Sequence, residues 1–305
     1  MRILIAGSSG LIGSALATSL ERGGHEVRRL IRPTTVGDGI PWDPDEGTLD
    51  PAAFDGVDGV VNLGGRSIGD HRWSDREKHL LWESRIPSAR LIAERMAAAP
   101  TRPGVLINAS AVGYYGDQGD RVLTEADGPG SGFLAELTQA WEAATAPASA
   151  AGIRVVTLRS GIVLSDAGGA MGRLLAPFGP RWLSPYRWGL GGPVAGGKQY
   201  WSWISLEDEI RAIVHLLIGD VSGPVNLTSP APATNREFVK ALGRALHRPA
   251  VMPIPGFVIR IVLGSELAEA MVLDGQRVRP ARLEAGGFEF RDTDLDRAMR
   301  TAVGR

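Results

Sequence analysis

The first half of the chain alternates short apolar runs with segments of helical periodicity. The apolar runs occupy residues 3–6, 27–31, 57–63, 105–109 and 154–158, and the helical segments occupy residues 11–22, 75–99 and 132–150. Apolar runs that alternate with helices are typical of βαβ units, in which parallel strands are buried on both faces of a sheet. The pattern therefore predicts a doubly wound α/β fold with a parallel sheet.

A glycine-rich turn joins the first predicted strand to the first predicted helix. It has the sequence GSSGLIG and occupies residues 7–13. In this position Gly7 permits a tight turn, Gly10 lets the backbone approach a pyrophosphate, and Gly13 lets the helix pack on the strand. The N-terminus of the helix then faces the anion. The turn predicts a dinucleotide-binding, Rossmann-like domain.

Arginines, and no acidic residue, mark the end of the second predicted strand. Arg28, Arg29 and Arg32 lie in or just after this strand, and the next acidic residue is Asp38. An acid at this place accepts hydrogen bonds from a free ribose 2′-hydroxyl, whereas an arginine suits a 2′-phosphate. We therefore expect NADP(H) rather than NAD(H), with Arg32 at the 2′-phosphate. The alternative is that these are solvated arginines of an arginine-rich chain.

The second half of the chain has a different pattern. Glycine- and proline-rich loops at residues 161–169 and 179–197 precede an apolar run at 201–204, and Ser205 is a plausible N-cap for a helix over 206–218. The remaining predicted elements are helices at 235–246, 257–263 and 266–273 and short strands at 225–227 and 251–252. We expect a smaller, mostly helical lobe at this end of the chain.

These patterns suggest a division into two interleaved units. Residues 1–228 are expected to form the nucleotide-binding domain, with residues 165–200 contributing loops to a substrate cleft. Residues 229–305 are expected to form the smaller lobe. No linker-like composition separates the two, so we expect them to pack together.

Composition excludes several classes of function. The 33 basic and 34 acidic residues give a net charge of −1, so no cationic field would attract nucleic acid. With no cysteine, and with five histidines that lack ligand spacing, we expect no disulfide and no metal site. We find no signal peptide and no long apolar stretch. We expect a cytoplasmic protein that acts on a small-molecule substrate, and the sequence leaves its oligomeric state open.

Together these features resemble the extended short-chain dehydrogenase/reductase superfamily and, more narrowly, the epimerase-like YfcH family. The matching motifs follow in order along nearly the whole chain: GSSGLIG at 7–13, WDP at 42–44, VNLGG at 61–65, RW at 72–73, SR at 84–85, SAVGYYG at 110–116, WE at 141–142, LRSGIVL at 158–164, GGP at 191–193, NLT at 226–228 and GQRV at 275–278. The resemblance implies a nucleotide-binding domain, a short C-terminal domain and NADP(H) as cofactor.

The resemblance also implies cofactor contacts beyond the three glycines and Arg32. These contacts fall in the matched motifs, on Ser9, Leu11, Ile12, Leu63, Gly64, Gly65, Arg85 and Arg159. It does not supply a substrate.

The usual catalytic motif of that superfamily is absent. Its members pair a serine or threonine at the end of a strand with Tyr-x-x-x-Lys on the next helix, where the lysine lowers the pKa of the proton-donating tyrosine. Here the strand supplies Ser110. When Glu142 is aligned with the glutamate that follows the lysine, Leu134 and Thr138 occupy the tyrosine and lysine positions.

Two other tyrosines could replace the missing proton donor. Tyr114 and Tyr115 follow Ser110 at the carboxyl end of the strand, where doubly wound sheets bind their ligands. We expect an NADP-dependent oxidoreductase or epimerase-like enzyme in which Ser110 orients a carbonyl and Tyr115 or Tyr114 donates the proton. The alternative is a protein that holds NADP(H) without turnover.

An apparent insertion relative to the family pattern occupies residues 179–188. It contains three aromatic residues and two arginines. This loop could be a lid that contacts an aromatic or anionic substrate, or the surface through which a non-catalytic protein reports cofactor state to a partner. The alternative is that its aromatic residues simply pack the loop onto the body.

Overall fold

A central sheet organises the computed structural model, which describes residues 1–33, 37–175 and 184–304. Numbered in chain order, its strands from one edge to the other are β4 (Thr48–Leu49), β3 (Ile40–Asp43), β2 (Glu26–Ile31), β1 (Arg2–Ala6), β5 (Gly59–Asn62), β6 (Val105–Ala111), β8 (Arg154–Ser160) and β12 (Gly223–Leu227). All neighbouring strands are parallel except β3 and β4. The predicted doubly wound α/β fold is confirmed.

In these described ranges, three two-stranded ladders lie outside the central sheet. They pair β7 (Val122–Leu123) with β14 (Arg277–Val278), β9 (Ile162–Leu164) with β11 (Trp203–Ser205), and β10 (Tyr200–Trp201) with β13 (Ala233–Thr234). The β7–β14 ladder carries the C-terminal segment back to the loop that follows β6. The proposed boundary after residue 228 falls between β12 and β13.

Helices cover both faces of the central sheet and build the C-terminal segment. In chain order they are α1 (Leu11–Arg22), α2 (Asp75–Glu83), α3 (Ile86–Ala98), α4 (Phe133–Ala143), α5 (Ala146–Ala150), α6 (Gly169–Leu175), α7 (Leu206–Ile218), α8 (Asn235–Leu246), α9 (Gly256–Leu263), α10 (Ser265–Ala268), α11 (Ala281–Ala285) and α12 (Leu295–Ala302). Short 3₁₀ turns occupy Pro51–Phe54 and Val112–Tyr115, and a π-helical turn occupies Glu269–Leu273. Within the described ranges, no helix has the length and apolar character needed to cross a membrane.

Side-chain alternation explains why the central strands are apolar throughout. Successive side chains of a strand point to opposite faces, so Ile3 and Ile5 pack in one core with α1 and α7, while Leu4 packs in another with α3 and α5. All three side chains are fully buried. Burial on both faces accounts for the continuous apolar runs in the sequence.

Two predicted helices are each split in two. The predicted helix over residues 75–99 is α2 and α3, and the predicted helix over 132–150 is α4 and α5. In each case the second helix has a proline, Pro87 or Pro147, in its first turn, where proline needs no N–H partner. A proline there starts a new helix without disturbing the apolar periodicity, so the pattern appeared continuous.

Four smaller predictions also need correction. The predicted strand at 201–204 is two strands that pair with different partners, and the predicted loop at 161–169 contains β9. Residues 251–252 form no strand, and residues 266–273 combine α10 with the π-helical turn. By contrast, the prediction of α7 is confirmed together with its cap, because the Ser205 hydroxyl accepts a hydrogen bond from the Asp208 amide.

Candidate functional site

The glycine-rich turn lies at the switch point of the sheet, between the carboxyl ends of β1 and β5. Gly7 has a φ of 79°, and a Cβ atom there would lie 2.7 Å from the carbonyl carbon of Leu63. A Cβ atom on Gly13 would lie 2.2 Å from the Gly7 carbonyl oxygen. Contacts within the protein therefore require glycine at both positions.

Gly10 is different, because the described residues leave room beside it for a Cβ atom. It is the N-cap of α1, has an ordinary φ of −75° and supplies no side-chain cap to the helix. Among the described residues, a Cβ atom there would meet only the Gly7 carbonyl oxygen, at 3.4 Å. The first amides of α1 and the positive end of its dipole are thus open to an anion.

The loop after β5 forms the other side of this site. The Leu63 amide donates a hydrogen bond to the Ala6 carbonyl, and the Gly64 amide donates to the Asn62 side-chain oxygen. The side-chain amide of Asn62 in turn donates to the side-chain oxygen of Asn108 at 2.8 Å. The structure therefore places this loop, which holds Leu63, Gly64 and Gly65, beside Gly7 of the glycine-rich turn.

Arg85 lies beneath this loop as a buried cation. Its guanidinium donates hydrogen bonds to the carbonyls of Leu81 and Arg66. The Cζ atom lies over the Trp141 ring, 5.1 Å from the ring centre. A Cβ atom on Gly65 would lie 3.3 Å from its Cζ atom. Burial lowers the pKa of Arg85 to about 10, and no carboxylate pairs with it among the described ion pairs. Arg85 thus supports the loop from below.

Arg32 extends from the end of β2, but it already has a partner. Its Nη1 atom donates to the Asp45 carboxylate at 3.0 Å, and its guanidinium lies 5.7 Å from the centre of the Trp42 ring. Both charged side chains are substantially exposed. Asp45 comes from the turn between β3 and β4, so the β2–β3 pairing brings it close, and no local motif could have indicated this contact.

Ser110 and Arg159 both donate hydrogen bonds to the carboxylate of Glu142. In the sequence, Glu142 served only to align the helix with the Tyr-x-x-x-Lys motif. The Ser110 hydroxyl donates to Glu142 Oε1 at 2.7 Å. Arg159 donates to both Glu142 oxygens, each at 2.8 Å. Burial would lower the pKa of Arg159, but its hydrogen bonds and charge pairing with Glu142 raise it above the usual value. This is a buried two-point ion pair, with Ser110 as a third member.

The two tyrosines after Ser110 differ in accessibility. Tyr115 is fully buried, accepts a hydrogen bond from Arg159 and donates one to Asn226 at 2.7 Å. Burial raises its pKa, against the opposing effect of Arg159. Tyr114 is half-buried, and the Arg159 guanidinium lies 3.3 Å from the centre of its ring. Within the described residues, the Tyr114 hydroxyl has no hydrogen-bond partner.

The positions aligned with Tyr-x-x-x-Lys are both buried and carry no titratable group. Thr138 donates its hydroxyl proton to the Leu134 carbonyl at 2.7 Å, one turn earlier in α4. Leu134 lines a pocket of about 220 Å³ between the loop after β6, the start of α4 and the C-terminal segment. The pocket is lined by Trp73, Gly113, Gly116, Ser131, Gly132, Phe133, Leu134, Glu266, Glu269, Ala270, Asp274 and Gln276.

Acidic residues dominate the polar side of this pocket. Lys78 donates to Glu266, and Arg260 donates to Glu269 at 2.6 Å. Asp274 accepts no hydrogen bond and forms no ion pair within the described part of the chain. Burial and the nearby charges of Asp117 and Glu269 raise the pKa of Asp274 to about 6. None of these three carboxylates was among the site residues predicted from the sequence.

The predicted insertion loop falls partly outside the described residues, which resume at residue 184. In the described part, Tyr186 is buried against Gly191, and burial raises its pKa to about 12. The Trp188 side chain is 65% exposed. One aromatic residue of the loop, Tyr186, therefore packs onto the body. This is the arrangement that the alternative to a lid would give.

Comparison with known proteins agrees with this architecture. The NAD dependent epimerase/dehydratase family matches residues 3–227, and a domain of unknown function (DUF1731) matches residues 254–302. An epimerase family protein of Mycobacterium leprae is 44% identical over 305 residues, which cover 99% of this chain and 96% of that protein. Human epimerase family protein SDR39U1 is 36% identical over 308 residues, which cover 99% of this chain and 100% of that protein.

Solved structures give the same result. The crystal structure of human SDR39U1 (isoform 2) with NADPH has a TM-score of 0.88 and 33% identity and covers 99% of each chain. Thermus thermophilus UDP-glucose 4-epimerase in complex with NAD has a TM-score of 0.75 at 21% identity, covers 99% of this chain and 98% of that chain, and shares the fold. The resemblance found in the sequence motifs is thus confirmed, and the chain belongs to the NAD-dependent epimerase/dehydratase family, with a DUF1731 domain near its C-terminus.

Proposed function

We propose that this chain binds NADP(H) at residues 7–13 and acts as an NADP(H)-dependent oxidoreductase or epimerase-like enzyme on a small polar or carbonyl substrate. One observation carries the proposal. The N-terminus of α1 is uncapped at the switch point of the sheet, and the space beside Gly10 is open. Free helix amides and a positive dipole end suit a pyrophosphate, so the residues present fit the cofactor. The NADPH in the structure of the human relative supports this choice.

The residues around the turn have separate tasks in this proposal. The amides of Ser9, Leu11 and Ile12 would hold the pyrophosphate, and Arg32 would contact the 2′-phosphate after leaving Asp45. The loop of Leu63, Gly64 and Gly65 would shape the opposite wall, with Arg85 supporting it from below. When bound, the cofactor supplies or accepts a hydride at its nicotinamide ring.

The contacts around the Arg159–Glu142 ion pair suggest different roles for Ser110, Tyr115 and Tyr114. Ser110 keeps its proton in a hydrogen bond to Glu142 and would have to redirect it to orient a substrate carbonyl. Tyr115 is enclosed and fully hydrogen-bonded, so we assign it to positioning Arg159. The Tyr114 hydroxyl has no partner among the described residues, and a cation lies beneath its ring, so we propose Tyr114 as the group that donates the proton.

A second candidate function is NADP(H) binding without turnover. It is favoured by Leu134 and Thr138 at the two usual catalytic positions and by the enclosure of the Tyr115 hydroxyl. A protein of this kind would bind NADPH as tightly as the proposed enzyme does. No small carbonyl compound would cause NADPH oxidation in its presence. A substrate that oxidises NADPH in the presence of the wild-type protein, and less with Tyr114→Phe, would exclude it.

Replacing Gly10 with alanine tests the cofactor site directly. A methyl group fits the backbone angles and the space within the protein, so the melting temperature should not change. The same methyl group would occupy the approach of a pyrophosphate, and overpacking of roughly 1–3 kcal/mol corresponds to about a 5- to 150-fold loss of NADPH affinity. Calorimetric titration measures this loss. Gly13→Ala is the contrasting variant, because its Cβ atom would clash within the protein and lower stability as well. Wild-type NADPH affinity in Gly10→Ala would contradict the proposal.

Replacing Arg32 with alanine tests the choice between the two cofactors. A charge-assisted hydrogen bond contributes roughly 1.5–3 kcal/mol, so the preference for NADPH over NADH should fall about 10- to 150-fold. Titration of both cofactors against both proteins gives the ratio. Asp45→Asn is the matched control, because it removes the competing carboxylate and should keep or increase the preference. An unchanged ratio in Arg32→Ala would place the 2′-phosphate elsewhere.

A further inference from the structure

The pocket beside Leu134 combines an aromatic wall with a carboxylate that has no partner among the residues that the structure describes. The Trp73 and Phe133 rings meet edge to face, with their centres 5.0 Å apart. The Trp73 indole donates to the Ile68 carbonyl at 3.0 Å, which fixes the orientation of its ring. Within the described ranges, the pocket lining contains three carboxylates and neither lysine nor arginine.

The side chains around the pocket carry an excess negative charge. Glu266 and Glu269 are neutralised by Lys78 and by Arg260, neither of which lines the pocket. Asp274 has no such partner in the described part of the chain. Behind it, Asp117 accepts hydrogen bonds from the backbone amides of Gly119 and Gly275 and adds a second negative charge.

This charge pattern discriminates between classes of substrate. A phosphorylated or carboxylated compound would bring its negative charge against Asp274 with no cation in the lining to compensate. A cation would gain a charge-assisted hydrogen bond to the carboxylate and contact with the face of an aromatic ring. Within the described residues, no group of three or more possible metal ligands is assembled, so the pattern favours an organic cation.

We propose that the substrate held in this pocket carries a protonated amine, which binds between the Asp274 carboxylate and the Trp73 ring. The proposal rests on the proposed function, since it names the substrate class of the same site. Glu266 and Glu269 set the acidic surroundings, and Asp274 determines the preference for a cation.

Three ring compounds of matched size test the proposal: cyclohexylamine, cyclohexanol and cyclohexanecarboxylate. Binding is measured by calorimetry and ligand-detected NMR at pH 8, with a metal chelator present, on the protein with and without NADPH. At this pH the amine is protonated and Asp274 is ionised, because its pKa is about 6. We expect cyclohexylamine to bind at least about tenfold more tightly than cyclohexanol, and cyclohexanecarboxylate to show no binding.

Variants assign the effect to one residue. Asp274→Asn should make the amine and the alcohol bind equally, whereas Asp120→Asn, which removes an exposed charge from the neighbouring loop, should leave the preference unchanged. Equal binding of the three probes to the wild-type protein, or binding of none, overturns the proposal. A preference that survives in a folded Asp274→Asn variant also overturns it, as does displacement of the amine by magnesium once the chelator is omitted. The NADPH titration on the same sample shows separately whether the proposed function fails.

Discussion

Replacing Arg159 with methionine is expected to lower the free energy of unfolding by about 3–5 kcal/mol. The side chains of Arg159 and Glu142 are only 3% and 15% exposed, and their carboxylate–guanidinium pair has two hydrogen bonds. Methionine keeps much of the volume but leaves a charged Glu142 without its partner, and it removes a hydrogen bond to Tyr115. Urea unfolding at neutral pH, followed by circular dichroism, measures the change.

Two controls separate the buried charge from other effects of this substitution. The double variant Arg159→Met with Glu142→Leu removes both charges and should recover most of the lost stability, because neither charge is left unpaired. Arg244→Met breaks an exposed ion pair with Asp296 and should change stability by no more than about 1 kcal/mol. If Arg159→Met costs no more than Arg244→Met, the ion pair does not hold Ser110 and Tyr115 in place, and the roles assigned to them lose their basis.

The sequence predicted the sheet and its flanking helices well because their signals are local and strong. Strands buried on both faces give continuous apolar runs, and α1, α7 and α8 have the bounds that their caps and periodicity indicated. The split helices were not predicted, since a proline in the first turn of a helix leaves the apolar periodicity intact. The short strands β3, β4, β7, β9, β13 and β14 were also missed, because two to four residues carry too little alternation to be recognised.

The two halves of the candidate site were predictable to different degrees. The glycine-rich turn is a short contiguous motif whose backbone demands are visible in the residue types themselves. The pocket beside Leu134 depends on the β7–β14 ladder, which brings Asp274 beside a loop more than 150 positions earlier in the chain. Glu266 and Glu269 lie in what the sequence presents as an ordinary helical segment, and Asp274 directly follows it. Long-range pairing of this kind has no periodicity for a sequence analysis to find.

A carboxylic acid in the core predicts a marked dependence of stability on pH. Glu209 is fully buried, accepts a hydrogen bond from the Ser160 hydroxyl at 2.7 Å and has no partner for its second oxygen among the described residues. Burial raises its pKa from 4.5 to about 8, although the Ser160 hydrogen bond opposes this shift. Between these two values the folded protein holds a proton that the unfolded chain releases. Stability should therefore fall as the pH rises from about 4.5 to 8, by up to about 5 kcal/mol in all.

Glu209→Gln should remove this dependence, because an amide keeps the size and the Ser160 hydrogen bond of the acid but does not titrate. The variant should match the wild-type protein near pH 5 and exceed its stability by several kcal/mol at pH 9, as measured by urea unfolding across this range. Glu207→Gln is the matched control, since Glu207 lies two residues earlier in α7 but is exposed and paired with Arg291, and its pH profile should follow that of the wild type. Parallel profiles for the wild-type protein and Glu209→Gln would show that the folded protein does not hold the extra proton on Glu209.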